Sequence, residues 1–534
     1  MRFLWKDPLE WFFPDTLENL KRGIGQVELD VARGGCASAA AVILDLPEGE
    51  RITLDCDDAR CRIFEMSDVC VNRNTAEVSF AAREGNPKSK SVIRDAPFRE
   101  FDVLKEYNDP ASASGRGNIF YILRPAGYDE EPGKKVITLT VRAGKKAIAK
   151  YFTVNISSVK LPPVGADSAI LTNWFDLKHF GFPGKLELWS PEFWESLREN
   201  AELMCHMRQN TIFVPLEHFF HYDKENGTYT LDRDVLKEYI DTFTACGMYW
   251  IEAGHLGKRD GSWFTSEFKV LLSGHRVRSK EGAADIAQMA GLLKAFIDEH
   301  DLKERWIQHV ADEPIECNAD CYRIFCGIVR KYLPGITIMD ALSDLNIAGS
   351  VDIWCPQAQV YQREQNAFEA MRKQGDKLWL YTCCHPGGAW LNRLSDGELL
   401  RPLLLGWGCG VNGIDGFLHW GWNQYRHYTR EDLPEVQDPF EDLAPLQHDT
   451  AINYLPPGDT HIVYPSEDGH VYSSLRLEAQ REGMEDWELI RMLKVKSPEA
   501  CAAITGKVFQ SFKKFAKTPG KIRAARRELL KALE

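Results

Sequence analysis

The first 160 residues alternate short apolar segments with polar turns. The apolar segments include AAVILDL, RITLDC, NIFYILR and KKVITLTV, and stretches such as PEGE and DEEPGK lie between them. Short runs that are rich in β-branched and aromatic residues and bounded by Gly, Pro and acidic turns are typical of strands. The pattern predicts an all-β sandwich over residues 1–160, which we expect to be structural or to flank a substrate cleft.

After LPPVGAD, residues 161–167, strand-like segments begin to alternate with segments of helical periodicity. Eight strands are predicted, and they begin at Ala169, Thr211, Met248, Trp306, Ile336, Val351, Lys377 and Gly416. This alternation predicts an α/β protein in which a (β/α)8 barrel of the TIM type follows the sandwich and spans residues 161–495. Residues 344–351 leave no room for a helix, so we expect the barrel to be imperfect after its fifth strand.

The last part of the chain, residues 496–534, is predicted to be a helical extension. Val508, Phe509, Phe512 and Phe515 recur at helical spacing, which indicates one apolar helix face. The basic residues between positions 507 and 527 would then form the solvated face of the same helix.

The composition argues against a membrane-spanning protein and against a nucleic-acid-binding protein. A chain of 534 residues with 44% hydrophobic residues and no apolar run near the roughly 20 residues of a bilayer span predicts a globular protein of two domains outside the membrane. A net charge of -13 argues against nucleic acid as the main partner, because phosphate binding needs a concentrated basic face. The amino terminus, MRFLWKDPLEWFFPD, lacks an uninterrupted apolar segment, which favours a cytoplasmic location. The sequence indicates no oligomeric state.

The fourteen cysteines are scattered and form no Cys-x-x-Cys pair, which favours reduced thiols over a disulfide framework. Cys383, Cys384 and His385 are consecutive, and Cys205 precedes His206, so a metal site deserves consideration. Consecutive ligands cannot easily close a tetrahedron, and no second cluster has zinc spacing. We therefore expect neither a metal nor a cofactor.

Polar and aromatic residues follow most of the predicted barrel strands. In barrels of this type the catalytic groups come from the carboxyl ends of the strands. Aromatic faces stack on the C–H faces of sugars, while carboxylates and amides bind hydroxyl groups, so these strand ends predict a carbohydrate cleft. The residues in question are Asn173, Trp174, Phe175, Glu217, His218, Glu252, His255, Asp312, Glu313, Trp354, Gln357, Tyr381, His385, His419, Trp420, Trp422 and Asn423.

Several aromatic and imidazole side chains have a simpler explanation. Trp306 and Trp354 are expected to pack in the core, and His309 is expected to be a core histidine with satisfied hydrogen bonds. Trp420 and Trp422 are different, because they lie two residues apart and so face the same side of the eighth strand.

The segment WIQHVADEPIE, residues 306–316, combines an apolar strand with two adjacent carboxylates, Asp312 and Glu313, followed by Pro314. A residue before proline is pushed out of the helical region, so Glu313 is expected to be extended at the strand tip. Taken alone, the motif is better explained as a helix-entry turn, since acids near a helix start complement its dipole. Its place after the fourth of eight strands makes it the candidate catalytic pair.

Four segments stand out together, and they are HVADEP, LWLYTCCHPGG, GIDGFLHWGWNQY and VYSSLRLEAQREGMEDWELI. As a set they resemble glycoside hydrolase family 123 and its close relatives, whose known members are β-N-acetylgalactosaminidases. The resemblance covers roughly residues 167–493, and the preceding sandwich suits the amino-terminal domain of that family. It implies a retaining glycosidase that releases terminal β-linked N-acetylgalactosamine from a small-molecule or oligosaccharide substrate.

The resemblance also implies a role for each acid. Asp312 would orient the acetamido N–H of the sugar, so that the acetamido carbonyl oxygen attacks the anomeric carbon and forms an oxazolinium-like intermediate. Glu313 would protonate the glycosidic oxygen and later activate water. An acid with this role must be protonated near neutral pH, and two close carboxyls in a partly buried site raise one pKa.

Position along the strands suggests which other residues contact the sugar. The candidates are Asn173, Trp174, Gln357, Tyr381, His385, Trp420 and Trp422. Among them, Tyr381 is the better candidate for a hydrogen bond to the acetamido carbonyl. The charged residues of the C-terminal motif are instead expected to lock the last helix to the barrel, and they are Arg476, Glu478, Arg481, Glu485 and Asp486.

Two other functions remain open at this point. One is a β-hexosaminidase that acts on N-acetylglucosamine, which differs from N-acetylgalactosamine only at C4. The other is a noncatalytic sugar-binding barrel, which is weakened by the presence of both Asp312 and Glu313.

Overall fold

The computed structural model describes residues 1–75, 92–108, 110–181, 184–342, 344–425, 436–446, 454–466 and 468–534. The amino-terminal region contributes strands β1 (Arg2–Lys6), β2 (Glu28–Arg33), β3 (Cys36–Leu44), β4 (Arg51–Cys56), β5 (Arg62–Val71), β6 (Phe98–Glu106), β7 (Ala111–Ser112), β8 (Asn118–Pro125), β9 (Gly133–Ala143) and β10 (Lys146–Lys160). The central region contributes β11 (Ile170–Asn173), β12 (Thr211–Val214), β13 (Phe220–Asp223), β14 (Thr228–Leu231), β15 (Trp250–Ala253), β16 (Gly257–Arg259), β17 (Phe268–Val270), β18 (Trp306–Gln308), β19 (Thr337–Ala341), β20 (Ile353–Cys355), β21 (Lys377–Thr382) and β22 (Gly416–His419). The remaining strands are β23 (Tyr464–Pro465), β24 (Val471–Ser474), β25 (Phe509–Ser511) and β26 (Lys514–Phe515).

The helices lie mainly between and after the central strands. They are α1 (Pro191–His206), α2 (Arg233–Ala245), α3 (Lys280–Glu299), α4 (Ala319–Tyr332), α5 (Ala358–Arg363), α6 (Gln365–Lys373), α7 (Leu400–Asn412), α8 (Leu475–Lys496), α9 (Pro498–Thr505) and α10 (Pro519–Leu533). In the described part of the chain, none of them is both long and apolar enough to span a bilayer.

The amino-terminal region forms two sheets. One has the order β1-β3-β8-β5-β6-β24-β23 and the other β2-β10-β9-β4-β7. Strand β3 lies where the two sheets and the barrel meet, and every one of its residues after Cys36 is buried. Ala39 and Ala41 point into the core between the two sheets, whereas Ala40 and Val42 belong to the large core that includes the barrel. Strand β3 is therefore buried on both faces, and through it the first sheet joins the sandwich to the barrel.

Two strands from the end of the predicted barrel segment pair with the amino-terminal sheet. Strands β23 and β24 lie within residues 161–495 but extend the amino-terminal sheet, where Ser473 pairs with Leu104 of β6. A pairing between strands so far apart along the chain, Ser473 with Leu104, cannot be recognised from local periodicity, since pairing partners are set by tertiary structure.

The central region is an eight-stranded, nearly closed parallel barrel. Its strands are hydrogen-bonded in the order β11-β22-β21-β20-β19-β18-β15-β12, which is chain order around the sheet. All eight predicted strands are present. The predicted irregularity after the fifth strand is also confirmed, because only a short 3-10 turn, Leu345–Ile347, lies between β19 and β20.

The first two barrel strands meet through side chains. The Asn210 side-chain oxygen accepts a hydrogen bond from the Leu171 backbone N–H at 3.1 Å, and the Gln209 oxygen accepts one from the Asn173 N–H at 3.0 Å. Buried amide side chains thus satisfy backbone groups of β11 that would otherwise be unpaired at this seam.

Part of the predicted C-terminal extension is wrong. Residues 496–534 do include helices α9 and α10, but Phe509 and Phe515 lie opposite each other in the hairpin β25–β26 instead of on one helix face. The apolar residues at helical spacing are buried because the hairpin packs on α7, where Phe512 contacts the position of Gly408. Short apolar periodicity does not distinguish a helix from a packed hairpin.

Helix α8 carries the charged C-terminal motif, and its charges bind the sandwich as well as the barrel helices. Arg476 pairs with Asp102 of β6 at 2.8 Å, and Glu478 lies 2.7 Å from the His206 imidazole on α1. Asp486 accepts a hydrogen bond from the Trp407 indole on α7 at 2.8 Å. The structural role predicted for this motif is confirmed, with more partners than the barrel alone.

Candidate active site

The two adjacent acids lie at the carboxyl end of the barrel, in a loop that is longer than the sequence suggested. Strand β18 ends at Gln308, so Asp312 and Glu313 follow it by several residues. Glu313 is not extended as predicted, because its φ is 42°. A left-handed backbone at a non-glycine residue costs about 1–3 kcal/mol and persists only where surrounding contacts hold it.

Two contacts hold Glu313 in this conformation. Arg259, at the end of β16, donates a hydrogen bond to its backbone carbonyl oxygen. Tyr381, on β21, donates its hydroxyl hydrogen bond to one carboxylate oxygen. Burial and the neighbouring charge of Asp312 raise the pKa of Glu313 to about 7, although the Tyr381 hydrogen bond opposes the shift. A carboxyl with this pKa is partly protonated at neutral pH and can donate a proton.

Asp312 is partly open to solvent, and 47% of its side chain is exposed. Its carboxylate oxygen lies 3.9 Å from Nε2 of His255. Enclosure by the protein on its other sides raises the pKa of Asp312 to about 6, against the opposing charge of Arg259. The two acids interact, so the pair titrates together, with both pKa values above the ordinary range for carboxyls.

A buried charge network lies beneath the pair and is centred on His309. Its Nδ1 is 2.8 Å from Asp340 and its Nε2 is 2.7 Å from Glu252. Burial alone lowers the pKa of His309, but the hydrogen bonds to the two carboxylates outweigh it and raise the pKa to about 10. His309 is therefore an imidazolium that donates both of its N–H groups. This agrees with the sequence prediction of a core histidine whose hydrogen bonds are satisfied.

His255 lies between this network and Asp312. Burial and the positive charge of His309 lower the pKa of His255 to about 4, so its ring is neutral at physiological pH. Its Nε2 is 3.5 Å from Asp340 and has no hydrogen-bond partner.

One group of described residues has the spacing that a bound metal ion would require. Its ligand atoms lie within 4.8 Å of one another, and they belong to His255, His309 and Asp340. His309 does not suit that role, because both of its nitrogens carry protons that are donated to carboxylates. A metal-ligating imidazole must offer an unprotonated nitrogen. The arrangement instead neutralises two buried acids with one cation.

Trp174, which follows β11, forms part of the floor of the site. Its indole N–H donates to Glu252 at 2.8 Å, and its ring packs edge to face with His255 and His309, at centroid distances of 5.5 and 5.4 Å. Trp174 and Tyr381 both pack on the small apolar cluster inside the barrel. The structure thus brings these two predicted residues together with the acid pair.

The other predicted contacts divide into two groups. Gln357 and Trp420 are partly exposed: Gln357 bridges to Tyr381 along the sheet, and the Trp420 indole donates to Asp459 at 3.1 Å. His385 is also partly exposed, in the loop after β21, where its carbonyl oxygen accepts the Cys383 N–H at 2.9 Å.

Trp422 and Asn173 have no surface to offer a ligand. Trp422 is completely buried, and its indole donates to Asn200 on α1 at 2.9 Å. Asn173 is equally buried, with its amide bound to Gln209 and its oxygen accepting from Arg393 at 2.7 Å. Strand β22 ends at His419, so the alternation that placed both tryptophans on one face does not continue to Trp422.

Sequence reasoning missed three contributors to this site. Asp340 lies inside β19, and its position before the strand end gave no signal of a role. Arg259 and Trp263 belong to the hairpin β16–β17 and its loop, an insertion after the third barrel strand that local patterns did not indicate. Glu252 and His255 did stand out at a strand end, but their pairing with the fourth and fifth strands depends on the closed barrel.

Comparison with known families decides the class of protein. Residues 174–493 match the family model described as glycoside hydrolase 123, catalytic domain. The chain belongs to glycoside hydrolase family 123. The resemblance seen in the four sequence motifs is confirmed, and the protein is a glycosidase by family membership. No curated protein sequence matches the chain.

One solved structure of the same family shows the same fold, and two others are similar only at a low TM-score. A family 123 glycoside hydrolase from Clostridium perfringens, described in work on glycolipid glycan hydrolysis, superposes with a TM-score of 0.73 at 13% identity, covering 100% of this chain and 97% of that one. A β-D-glucuronidase from Dictyoglomus thermophilum has a TM-score of 0.35 at 10% identity, with 85% and 68% covered. A β-galacturonidase from Eisenbergiella tayi has a TM-score of 0.34 at 11% identity, with 89% and 78% covered.

Proposed function

We propose that this glycosidase releases terminal β-linked N-acetylgalactosamine with retention of configuration, using the acetamido group of the substrate as the nucleophile. The observation that supports the proposal is a division among the carboxylates around His309 and the acid pair. Glu252 and Asp340 are both bound to the His309 imidazolium. Asp312 and Glu313 remain to act on a substrate, and they are adjacent in sequence.

Adjacent acids suit substrate-assisted catalysis better than a protein nucleophile. In retaining enzymes with their own nucleophile, two carboxyls flank the anomeric carbon about 5–5.5 Å apart. The acetamido group and the glycosidic oxygen instead lie on neighbouring ring carbons, so neighbouring residues can serve one each. The raised pKa of Glu313, about 7, supports the role of proton donor.

In the first step, the ionised Asp312 accepts a hydrogen bond from the acetamido N–H and polarises the amide. The acetamido oxygen attacks the anomeric carbon as Glu313 gives its proton to the glycosidic oxygen, and the aglycone leaves as an alcohol. In the second step, the Glu313 carboxylate takes a proton from water, which attacks the anomeric carbon and restores the acetamido group.

Tyr381 and Trp174 complete this assignment. The Tyr381 hydroxyl, which donates to the Glu313 carboxylate here, would donate to the acetamido carbonyl oxygen when the substrate is bound. Trp174 is fixed through Glu252 and offers its partly exposed ring to the sugar. A hydrogen-bond donor fixed at a site of developing charge is worth about 10²–10³ in kcat.

The decisive experiment is hydrolysis of 4-nitrophenyl β-glycosides of N-acetylgalactosamine, N-acetylglucosamine and galactose, with a thiazoline analogue of the intermediate as inhibitor. We expect cleavage of the first substrate and inhibition by the thiazoline. Cleavage of the plain galactoside would remove acetamido participation, preference for the glucosaminide would change the sugar, and no cleavage of any of the three would favour a binding protein.

The same panel tests the acids individually. Glu313→Gln should lose at least about a hundredfold in kcat on a glycoside with an alkyl leaving group, because no proton donor remains. Glu316→Gln is the matched control, since Glu316 is exposed three residues further along the same loop. A Glu313→Gln variant with full activity would exclude Glu313 as the acid.

A further inference from the structure

Cys383 and Cys384 are adjacent in the loop that follows strand β21, and their thiols lie together. The two Sγ atoms are 3.8 Å apart, and both cysteines are free and partly exposed. Neighbouring residues of a strand point to opposite faces, which would hold two adjacent thiols apart. Strand β21 ends at Thr382, however, and the chain then turns so that the thiols meet.

Hydrogen bonds hold this turn in place. The Cys383 backbone N–H donates to the His385 carbonyl oxygen at 2.9 Å. The Asn392 side-chain amide donates to the carbonyl oxygens of Cys383 and Pro386, at 2.8 and 3.0 Å. Asn392 is itself buried, so the loop that brings the two thiols together is fixed by the fold.

The Cys383 side chain reaches the candidate active site. It packs on the small apolar cluster inside the barrel to which Tyr381 belongs. The Gln357 amide donates to the Cys383 Sγ at 3.9 Å, and Gln357 pairs with Tyr381 along the sheet. Tyr381 in turn donates its hydroxyl hydrogen bond to Glu313. A movement of the Cys383 thiol is therefore transmitted to the strand that carries Tyr381.

We propose that Cys383 and Cys384 are a modification site, at which a small-molecule disulfide such as oxidised glutathione joins the two thiols in a reversible disulfide that lowers glycosidase activity. The effect on activity rests on the proposed function, whereas the formation of the disulfide does not.

The modification takes two exchange steps. The thiolate of one cysteine attacks oxidised glutathione, forms a mixed disulfide with one glutathione and releases the other. The neighbouring cysteine, after losing its proton, attacks the protein sulfur of the mixed disulfide, closes the ring and releases the second glutathione. Two cysteines are oxidised, and one glutathione disulfide is reduced to two thiols that take up the two protons.

A disulfide between sequence neighbours is easily reduced again. Cα atoms joined by a trans peptide are about 3.8 Å apart, whereas disulfides usually join Cα atoms about 4.4–6.8 Å apart. The closed ring is therefore strained, and strained disulfides are the labile ones.

Closure of the ring also disturbs the site. The Sγ atoms must approach from 3.8 Å to about 2 Å, which moves Cys383 relative to Gln357 and Tyr381. A misplacement of about 1 Å in a catalytic arrangement can cost about a hundredfold in rate.

Both thiols are protonated at neutral pH. The hydrogen bond with Cys384 and burial raise the pKa of Cys383 well above its ordinary value. The hydrogen bond with Cys383 lowers the pKa of Cys384, but burial outweighs it and leaves this pKa raised. Because the thiolate is the attacking form, oxidation should be slow at neutral pH and faster as the pH rises.

The test incubates the whole protein with oxidised glutathione at pH 8.5, beside a sample kept reduced. Peptide mass spectrometry should find the peptide of Cys383 and Cys384 lighter by two hydrogen atoms, and dithiothreitol should restore its mass. On oxidation, kcat/KM for the 4-nitrophenyl β-glycoside of N-acetylgalactosamine should fall at least about tenfold, and it should recover on reduction.

Each variant is compared with itself before and after oxidation, so that its starting activity does not enter the comparison. The double variant Cys383→Ser, Cys384→Ser should lose the response to oxidised glutathione. Cys70→Ser is the matched control and should keep the response, because Cys70 is also a partly exposed free thiol but lies on the sandwich strand β5. A double variant that still responds would place the modification elsewhere.

The mass measurement on the unaltered protein decides the site even where the double variant does not fold. A peptide that stays reduced, or that carries glutathione in place of the disulfide, overturns the modification site. A disulfide that leaves kcat/KM unchanged overturns its effect on activity. A reduced protein that cleaves none of the 4-nitrophenyl glycosides overturns the proposed function, and the mass of the peptide then tests the site by itself.

Discussion

Tyr381, on the seventh barrel strand, donates its hydroxyl hydrogen bond to the carboxylate of Glu313, which follows the fourth strand. The bond stabilises the charged form of Glu313 and opposes the raising of its pKa by burial and by Asp312. Tyr381→Phe should therefore raise the pKa of Glu313 further. We expect the alkaline limb of kcat/KM against pH to move upward by up to about one unit, together with a lower maximum.

The control for this prediction is Tyr361→Phe. Tyr361 is a buried tyrosine on α5 whose hydroxyl donates to Glu369 at 3.1 Å, away from the acid pair. Its loss should leave the pH profile in place. An alkaline limb that stays fixed in Tyr381→Phe would show that the hydrogen bond does not act on the catalytic proton.

The raised pKa of Glu313 should also make the stability of the folded protein depend on pH. Because its pKa is raised to about 7 in the folded protein, the folded state favours the protonated form, and this stabilising contribution is lost as the pH rises through 7. Glu313→Gln carries no charge at any pH. Its melting temperature should exceed that of the unaltered protein by roughly 2 °C at pH 8.5, and the two should coincide below about pH 4.5.

Differential scanning calorimetry at these two pH values checks the sign. Glu316→Gln, on the exposed part of the same loop, should show no such divergence. A Glu313→Gln protein that is less stable than its parent at pH 8.5 would mean that the carboxylate is favoured in the fold, contrary to the raised pKa.

The fold was predictable where the sequence pattern is local. All eight barrel strands were predicted from apolar segments. Asp312 and Glu313 became the candidate pair because acids after a buried strand are conspicuous in a sequence. The left-handed φ of Glu313 was not predictable, since Arg259 and Tyr381 impose it from distant parts of the chain. The burial of Trp422 depends on where β22 ends, which periodicity did not fix.

Replacement of His309 should strongly destabilise the folded protein. Replacing it with Asn removes the cation that pairs with Glu252 and Asp340, and leaves two buried carboxylates without it. Breaking a buried ion pair from one side costs about 3–5 kcal/mol, and we expect a loss of this size in the free energy of unfolding by urea. His300→Asn, at a partly exposed helix end, should change it by less than about 0.5 kcal/mol. Equal stabilities of the two variants would contradict the charge network.

The two tryptophans after strand β22 should separate in their effects. Trp422→Phe leaves Asn200 without its indole partner in the core, and should lower the free energy of unfolding by about 1–3 kcal/mol with little change in KM. Trp420→Ala removes a partly exposed ring and should raise KM about tenfold. Urea unfolding and steady-state kinetics on both variants check this contrast, and the reverse pattern would restore Trp422 as a substrate contact.

Strands β23 and β24 extend the amino-terminal sheet although they come from the end of the barrel segment. A cut at residue 160 would expose the edge of β6, where Ser474 now pairs with Val103, and would uncover the apolar face of β3 that packs towards the barrel. Such an edge is a template for aggregation. The catalytic half of this enzyme is therefore not an exchangeable module, and truncation or domain grafting at the boundary suggested by the sequence should yield insoluble fragments.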